Sequence, residues 1–321
     1  MRAVITGVAG FVGSAIARRL LSEGHSVVGI DSITDYYDVS WKHARLDDLR
    51  PHEAFRFVQG DLNEVDLPSL LEGADVVFHE AGQPGVRLSW GSHFGTYLSA
   101  NVAATQALLE AAQHTTSLRR IVYASSSSVY GDAERFPTLE TDRPAPRSPY
   151  GVTKLAAEHL CSLYAANYGV PTVSLRYFTV YGPGQRPDMA FTRFTRAAAT
   201  GDRITIFGDG TQIRDFTFVD DVVQANLLAA TADVAPGSVY NVAGGSNISV
   251  NGTLDILGRL ADQPLDVEYR ATVAGDVFRT GGSTEKIERE LGWHPQVAIE
   301  DGLAAQYDWA ARTFRGQEAS A

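Results

Sequence analysis

The chain has very little cysteine, no long apolar run and no excess of positive charge, and each absence excludes a class of protein. Cys161 is the only cysteine among 321 residues, so an internal disulfide and a cluster of metal-binding thiolates are both excluded. A single thiol also suits a reducing compartment, and we expect a cytoplasmic protein. No apolar run approaches the roughly 20 residues that a membrane helix needs.

The charge balance argues against polyanionic partners. The formal net charge is -11 at pH 7, which disfavours general binding to nucleic acid or to an anionic membrane surface. Any anionic ligand must therefore be bound by a few local arginines, lysines and backbone N–H groups. Arg2 leads directly into a strand-like segment, which is unlike the start of an export signal.

Apolar runs alternate with helix-period segments in the first 178 residues. We predict strands near residues 2–6, 26–31, 55–60, 74–79, 119–125 and 171–177, and helices near 11–23, 93–114 and 150–168. Such alternation predicts an α/β fold with a doubly wound parallel sheet of the Rossmann type, covered by helices on both faces.

After residue 178 the pattern changes to shorter elements between loops rich in Gly, Pro and Arg. These elements include 204–207 and 238–242. We predict a dinucleotide-binding domain at residues 1–178, mainly a smaller α/β lobe at 179–315, and a polar tail at 316–321. Segments near 214–235 are expected to return to the first domain. Ligands of doubly wound sheets bind beyond the carboxyl ends of the strands, where such a lobe would close over them.

The first predicted strand runs into a glycine-rich turn. Gly7, Gly10 and Gly13 follow this strand and open a helix, which is the context that a dinucleotide-binding turn requires. The missing side chains allow a pyrophosphate to approach the helix N-terminus, whose free N–H groups and partial positive charge bind it. We therefore assign Gly7, Gly10, Phe11, Val12 and Gly13 to cofactor binding.

The ends of the next strands carry further cofactor candidates. Asp31 ends the second strand, where its carboxylate can accept hydrogen bonds from an adenosine ribose and would repel a 2′-phosphate. NAD is therefore predicted over NADP, with a turn or helix cap as the alternative role of Asp31. Asp61 and Leu62 are candidates for the adenine side, and Asp61 is as readily explained as a cap. Ala81 is a small residue after the fourth strand, where the backbone can pass close to a cofactor.

Tyr150 and Lys154 are four residues apart in a segment that we predict to be helical. This spacing puts the phenol and the ammonium group on one helix face, one turn apart. A neighbouring cation stabilises a phenolate and lowers the pKa of a phenol from its ordinary value of about 10. Tyr150 is therefore a candidate general base for an alcohol.

The sequence resembles the extended short-chain dehydrogenase/reductase family, in particular its nucleotide-sugar epimerases and dehydratases. The resemblance rests on the glycine turn, Asp31, the run 123–131, the pair Tyr150 and Lys154, and the segments 176–183 and 214–221. Any one of these motifs can arise by chance. Their order and spacing together span nearly the whole chain and are highly specific.

The resemblance implies a hydride-transfer site. Tyr150 would take the proton of the sugar 4-hydroxyl, Lys154 would bind the nicotinamide ribose and lower the pKa of Tyr150, and Ser126 would hydrogen-bond the same sugar oxygen. Hydride would then move from sugar C4 to NAD and leave a 4-keto sugar. A non-catalytic NAD-binding sensor is the alternative from a different class, although a sensor has no reason to retain all three groups.

Two serines distinguish between the reactions of the family. Members that dehydrate the sugar have Asp and Glu at the positions of Ser127 and Ser128, because eliminating water needs an acid and a base. Members that decarboxylate a glucuronate usually have a glutamate at the position of Ser128. Because Ser127 and Ser128 carry hydroxyls in place of these acidic groups, C4 epimerisation is the predicted reaction. A UDP-glucuronate decarboxylase with an unusual serine-rich centre is the first alternative.

The segments around Arg87 and 179–190 resemble UDP-glucuronate 4-epimerases. Most relatives that act on neutral sugars have Asn at the position of Thr179, so a UDP-glucose or UDP-N-acetylglucosamine 4-epimerase is a weaker alternative. Ser127, Ser128 and Thr179 carry neutral donors that can bind a sugar carboxylate. Holding that carboxylate near the ring plane would suppress loss of carbon dioxide from the 4-keto acid.

Arginines must neutralise the diphosphate of a UDP-sugar on this acidic chain. Arg214 matches the phosphate-binding arginine of the family, whose bidentate geometry suits this task. Arg186 and Arg87 are candidates for the diphosphate or the carboxylate, with surface salt bridges as the alternative. Asp276 resembles the family's contact to the uridine ribose. No metal site is predicted.

Two further features follow from the resemblance. Relatives commonly form homodimers through the helices that correspond to 93–114 and 150–168, whose alanines permit close approach, although packing on the chain's own sheet would use the same residues. A homodimer is expected. Glu80 replaces an aliphatic residue of the relatives, and Gly82 replaces an alanine. The Glu80 carboxylate either perturbs the hydride affinity of the cofactor or points away from it.

Overall fold

A computed structural model describes residues 1–271 and 278–318. The strands are β1 (Arg2–Thr6), β2 (Ser26–Asp31), β3 (Phe55–Gln59), β4 (Val76–His79), β5 (Arg120–Ser126), β6 (Thr172–Tyr177), β7 (Thr179–Tyr181), β8 (Ile204–Phe207), β9 (Ile213–Arg214), β10 (Phe216–Phe218), β11 (Ser238–Val242), β12 (Ile248–Ser249) and β13 (Val267–Arg270). The α-helices are α1 (Phe11–Ser22), α2 (Ser40–Leu49), α3 (Leu67–Leu71), α4 (Phe94–Tyr97), α5 (Ala104–Ala112), α6 (Pro149–Tyr168), α7 (Ala190–Thr200), α8 (Val219–Thr231), α9 (Val250–Ala261), α10 (Glu285–Leu291) and α11 (Ile299–Glu318).

Seven strands form one sheet in the order β11-β6-β5-β4-β1-β2-β3. All neighbouring pairs in this sheet are parallel. The chain order reverses between β1 and β4, which is where ligands of doubly wound sheets bind. The predicted Rossmann-type fold is therefore confirmed, and the six predicted strands lie within two residues of the observed ones.

The sheet separates two apolar cores, and residues of β4 pack into both of them. Val76 and Phe78 pack into the core on one face, while Val77 packs into the core on the other. Because both faces are covered, the strand is apolar at every one of these positions and does not alternate with polar residues. The shorter strands form three pairs outside the large sheet, β10 with β7, β12 with β9 and β13 with β8.

The predicted helix at 93–114 is a continuous helical run over 94–112, but it is not a regular α-helix throughout. A π-helical stretch, Leu98–Ala103, separates α4 from α5, and short 3₁₀ turns precede α4. The wider turn places Asn101 in the interior, where it accepts from Gln83 N at 2.7 Å and donates to Thr153 Oγ1 on α6 at 2.9 Å. An apolar pattern does not reveal such a bulge, because one extra residue changes the repeat only locally.

The placement of 238–242 in the smaller lobe is corrected by the sheet order. This segment is β11, which pairs in parallel with β6 and forms one edge of the large sheet. A local pattern predicts a strand but not its partner, which is chosen by contacts distant in sequence. Helix α8 packs against α1 beside the same sheet. Within the described residues, no helix has both the length and the apolar character needed to cross a membrane.

Candidate active site

The glycine turn forms a cradle between β1, α1 and the end of β4. Gly10 is the N-cap of α1 and has no side chain to cap it, so N–H groups of the first turn remain open. Gly7 has a φ of 70°, and a Cβ on it would lie 2.7 Å from the Ala81 nitrogen. A Cβ on Gly13 would lie 2.4 Å from the Gly7 oxygen. An uncapped helix N-terminus with this close backbone approach fits a pyrophosphate.

Phe11 and Val12 begin α1 beside this turn and are partly buried. Asp31 lies at the neighbouring end of β2, with 9% of its surface exposed. Its carboxylate accepts from Ala9 N at 3.1 Å and from Ile33 N at 2.8 Å. The Lys42 ammonium lies 3.6 Å away. Asp31 therefore holds the glycine turn in place as well as lying at the predicted ribose position.

Asp61 and Leu62 follow β3 and have clear local roles. Asp61 accepts from the backbone nitrogen of Asn63 at 2.9 Å and from its side chain at 2.8 Å. Leu62 is buried in the core beneath that edge of the sheet. Asp61 thus acts as a turn cap, which was the alternative interpretation of its sequence position.

The catalytic candidates lie at the carboxyl end of β5 and in the first turns of α6. Ser126 is the last residue of β5, and Ser148 caps α6 by accepting from Gly151 N at 3.1 Å. A Cβ on Gly151 would lie 2.6 Å from the Ser128 oxygen. Because Gly151 has no side chain, the helix carrying Tyr150 can approach the serine turn closely. This role of Gly151 was not predicted from the sequence.

The pKa of Tyr150 is raised, which corrects the expected effect of Lys154. Burial raises this pKa, while the hydrogen bond with Ser126 and the charge of Arg186 lower it in part. The cation that lowers the Tyr150 pKa in the structure is therefore Arg186. Helical spacing put Tyr150 and Lys154 on one face, but it could not show how strongly each group is desolvated.

Lys154 is itself a perturbed group. It is 6% exposed, and its ammonium lies 4.6 Å from the centroid of the Tyr123 ring. Burial lowers the pKa of Lys154 to about 8, while the charge of Glu80 acts in the opposite direction. Lys154 therefore loses its charge within the range of ordinary assay conditions.

The three hydroxyls predicted to bind the sugar lie on two segments of the chain. Ser127 and Ser128 form a 3₁₀ turn directly after β5 and are partly exposed. The backbone of this turn is fixed because Ser128 N donates to Ser126 Oγ at 3.1 Å. Thr179 begins β7, next to β6, and is also partly exposed. Its backbone nitrogen donates to the Asp215 oxygen at 3.1 Å.

Arg186 lies beside the Tyr150 phenol in a cluster with two further tyrosines. Its guanidinium binds both oxygens of Asp188, at 3.0 and 2.8 Å, and lies 5.8 Å from the centroid of the Tyr36 ring. Tyr97 packs edge-on against Tyr150, with 6.3 Å between ring centroids. Tyr36 and Tyr97 were assigned no site role from the sequence, because neither belongs to a recognised motif.

The remaining predicted substrate ligands lie in other parts of the chain. The guanidinium of Arg87 lies 5.3 Å from the centroid of the Phe207 ring. Arg214 on β9 donates to the Ile213 oxygen at 3.0 Å and to the Phe278 oxygen at 3.1 Å. Asp276 lies outside the described residues.

The neighbourhood of Arg214 is held by a buried carboxyl group. Asp215 is fully buried and accepts from Gly245 N at 2.9 Å. Burial raises the pKa of Asp215 to about 6, against the effect of backbone hydrogen bonds. Among the residues that the structure describes, no group of three or more His, Cys, Asp or Glu is arranged to hold a metal ion.

Known nucleotide-sugar epimerases resemble this chain along nearly its full length. A 38% identical protein, the uncharacterized UDP-glucose epimerase YtcB of Bacillus subtilis (strain 168), covers 99% of this chain and all of its own length. The UDP-glucuronate 4-epimerase of Thermodesulfobacterium geofontis (strain OPF15) is 38% identical over 96% of this chain and 95% of its own.

A solved structure resembles the chain equally well. The UDP-glucuronic acid 4-epimerase of Bacillus cereus, in complex with UDP-glucuronic acid and NAD, superposes with a TM-score of 0.93 at 39% identity. The match covers 97% of this chain and 99% of the other. A sequence model of one family matches residues 3–243, from β1 through the serine turn, Tyr150 and Lys154 to the end of β11. The chain therefore belongs to the NAD dependent epimerase/dehydratase family.

Proposed function

We propose that the protein is an NAD-dependent 4-epimerase that converts UDP-glucuronate to UDP-galacturonate through a transient 4-keto intermediate. The observation that carries this proposal is the convergence of Tyr150, Ser126 and Lys154 beside the glycine cradle. The similar proteins named UDP-glucuronate 4-epimerase support the choice of sugar.

The cofactor side of the proposed site follows from the cradle. The N–H groups at the start of α1, with Gly7, Gly10, Phe11, Val12 and Gly13, would hold the pyrophosphate. Asp31 would bind the adenosine ribose and disfavour a 2′-phosphate, with Asp61, Leu62 and Ala81 along the same edge. NAD, when bound, supplies a hydride acceptor that can return the hydride to the sugar.

Two side chains act on the sugar 4-oxygen in this proposal, and two basic residues lie beside them. Tyr150 accepts the proton of the 4-hydroxyl and gives it back after the ring has turned its other face. Ser126, hydrogen-bonded with Tyr150, orients the phenol and the sugar oxygen. Arg186 lowers the pKa of Tyr150, and Lys154 binds the nicotinamide ribose. Lys154 contributes a positive charge only below about pH 8.

The substrate side combines neutral donors with arginines. Ser127, Ser128 and Thr179 would bind the C6 carboxylate and hold it near the ring plane, which limits decarboxylation of the keto acid. Arg186 and Arg87 would provide positive charge for the carboxylate or the diphosphate. Arg214 would bind the diphosphate and Asp276 the uridine ribose. Residues 179–315, which include β8, β13 and Arg214, would contribute most of the sugar-nucleotide side, apart from β11 and α8.

The function is tested by incubating purified holoenzyme with UDP-glucuronate without added NAD and separating the products. UDP-galacturonate supports the proposal. A UDP-pentose or UDP-4-keto-pentose with carbon dioxide identifies a decarboxylase instead. Conversion of UDP-glucose or UDP-N-acetylglucosamine in place of UDP-glucuronate identifies a neutral-sugar epimerase, and a protein that binds NAD but converts none of them is a sensor.

A homodimer is part of the proposal. Large apolar side chains are exposed along the helical region that would form the contact. They are Leu98, Val152, Leu163 and Tyr168, with exposed fractions of 42%, 48%, 54% and 64%. Light scattering should give twice the chain mass, and a monomer would refute this part. Cys161 is buried and unpaired, which is compatible with the cytoplasm as the proposed compartment.

A further inference from the structure

Glu80 lies at the wall of the glycine cradle. It directly follows β4, and its backbone nitrogen donates to the Thr6 oxygen at 3.2 Å. A Cβ on Gly7 would lie 2.9 Å from the Glu80 carbonyl carbon. The residue therefore lies at the carboxyl edge of the sheet, where the dinucleotide site is expected.

The side chain of Glu80 is fixed by a hydrogen-bond network. The Tyr177 hydroxyl at the end of β6 donates to Glu80 Oε1 at 2.8 Å. The same hydroxyl accepts from Asn226 Nδ2 on α8 at 2.7 Å. Asn226 has no exposed surface, so the network joins the ends of β4 and β6 across β5. The Glu80 carboxyl group is therefore held at the carboxyl ends of β4 and β6.

Lys154 is the charged group near Glu80. Among the charges that act on Lys154, Glu80 has the largest effect. Further titratable groups around the pair are Cys161 and Glu158 on α6, and His79 on β4, Tyr123 on β5 and Tyr177 on β6. The last three have shifted pKa values. Burial lowers the pKa of His79 to about 3 and raises the pKa values of Tyr123 and Tyr177. All three are therefore neutral near pH 7.

We propose that Glu80 favours the oxidised form of the bound nicotinamide and thereby limits how far the hydride transfer proceeds. The oxidised ring carries a positive charge, and hydride addition neutralises it. A carboxylate at this edge of the sheet attracts the ring only in the oxidised state, and low solvent access strengthens the attraction. The inference rests on the proposed function only in taking NAD as the cofactor.

This preference depends on pH. Burial raises the pKa of Glu80 to about 7, although the Tyr177 hydrogen bond and the Lys154 charge lower it in part. Glu80 is therefore ionised above about pH 7, and the preference for the oxidised form is present there. The preference is lost as the pH falls below 7, because the neutral acid does not attract the ring.

A site that favours oxidised NAD keeps the sugar ketone at low occupancy. The 4-keto form of a uronic acid is a β-keto acid and loses carbon dioxide while it exists. Glu80 would thus reduce the time available for that loss. This role is electrostatic, so Glu80 is a positioning residue that acts on the equilibrium and does not itself transfer a proton to the sugar.

The test is a cofactor competition that needs no sugar. Holoenzyme is equilibrated with excess NAD and NADH at equal concentration, free cofactor is removed, and the bound ratio is measured after denaturation. At pH 8, Glu80→Gln should raise the bound NADH:NAD ratio on the order of tenfold. The amide can still accept from Tyr177. Loss of Glu80 also lowers the pKa of Lys154, which removes positive charge and opposes the effect, so the measured change is a lower limit.

Two control variants sharpen the comparison. Tyr177→Phe keeps the carboxyl group but removes the hydrogen bond that lowers its pKa, so the pH at which the ratio changes should move upward. Glu72 is an exposed glutamate, and Glu72→Gln should leave the ratio unchanged. Parent and Glu80→Gln should converge near pH 5.5 to 6, where Glu80 is protonated.

An equal NADH:NAD ratio for parent and Glu80→Gln at pH 8 would overturn the inference. If Glu80→Gln binds no cofactor, the inference is tested by the pH dependence of the bound NADH:NAD ratio in the parent protein. A parent ratio that does not fall as the pH rises through 7 then also overturns the inference. Failure of the epimerase assay would not affect either measurement, so the two proposals fail separately.

Discussion

Arg176 on β6 binds both carboxylate oxygens of Glu158 on α6, with Nη2 2.6 Å from Oε1 and Nε 3.0 Å from Oε2. Ser125 donates to Oε2 of the same carboxylate at 2.6 Å. Glu158 lies one helical turn after Lys154, and Ser125 precedes Ser126. This buried pair therefore fixes α6 against the strand end that carries Ser126.

Removing one partner of this ion pair should be costly. The Arg176 and Glu158 side chains are only 5% and 3% exposed, so Arg176→Met would leave a buried carboxylate without its cation. We expect a loss of about 3 to 5 kcal/mol in the free energy of unfolding, measured by chemical denaturation of holoenzyme. Arg203→Met, in an exposed pair with Asp266, should have little effect, and equal losses for both variants would contradict the assigned role.

Tyr150→Phe should abolish most of the epimerisation. The phenol is the proposed base, and general base catalysis typically contributes about 10²- to 10⁴-fold. The rate constant kcat should fall by that factor, measured by product separation, while bound NAD and the folded state remain unchanged. Turnover at the parent rate would refute the mechanism.

Gly13→Ala should weaken cofactor binding. The added Cβ would lie 2.4 Å from the Gly7 oxygen, so the turn must shift away from α1. The amount of NAD released from the purified variant by denaturation should drop well below one per chain. Gly95→Ala is the matched control, because its Cβ would meet nothing within 4 Å, and it should retain the cofactor. Full occupancy in Gly13→Ala would argue against a tight cradle.

Thr179→Ala should increase the proportion of decarboxylated product. The hydroxyl is one of the donors proposed to hold the sugar carboxylate near the ring plane, and its loss frees that group to align with the ketone. Chromatography of products from UDP-glucuronate measures the partition between UDP-galacturonate and UDP-pentose species. Thr231→Ala, at an exposed threonine, is the control. An unchanged partition in Thr179→Ala would count against the proposed role of Thr179.

The value of kcat/KM should decline above about pH 8. Burial lowers the pKa of Lys154 to about 8, so this residue is charged below that pH and neutral above it. Glu80 raises the Lys154 pKa, and Glu80→Gln should therefore move the alkaline decline to lower pH. A pH–rate profile of both proteins checks the sign. An alkaline decline that stays in place or moves upward would show that Lys154 does not set it.

Local residue chemistry explains which elements could be predicted. The predicted strands form because runs such as residues 76–78 are apolar on both faces, and the glycine turn follows from the steric need of a cofactor cradle. The π-helical stretch around Asn101 was missed because it changes the helical repeat only briefly. The partner of β11 was also missed because strand pairing depends on distant segments.

The sequence by itself determined the doubly wound sheet and the glycine turn, and it predicted Ser126, Tyr150 and Lys154 as the catalytic groups, because periodicity and motif spacing are properties of neighbouring residues. Only the tertiary structure decided the protonation behaviour of those groups. Desolvation and charge depend on which side chains meet from separate elements, and it is this packing that raises the pKa of Tyr150, brings Arg186 beside it and sets Glu80 near Lys154.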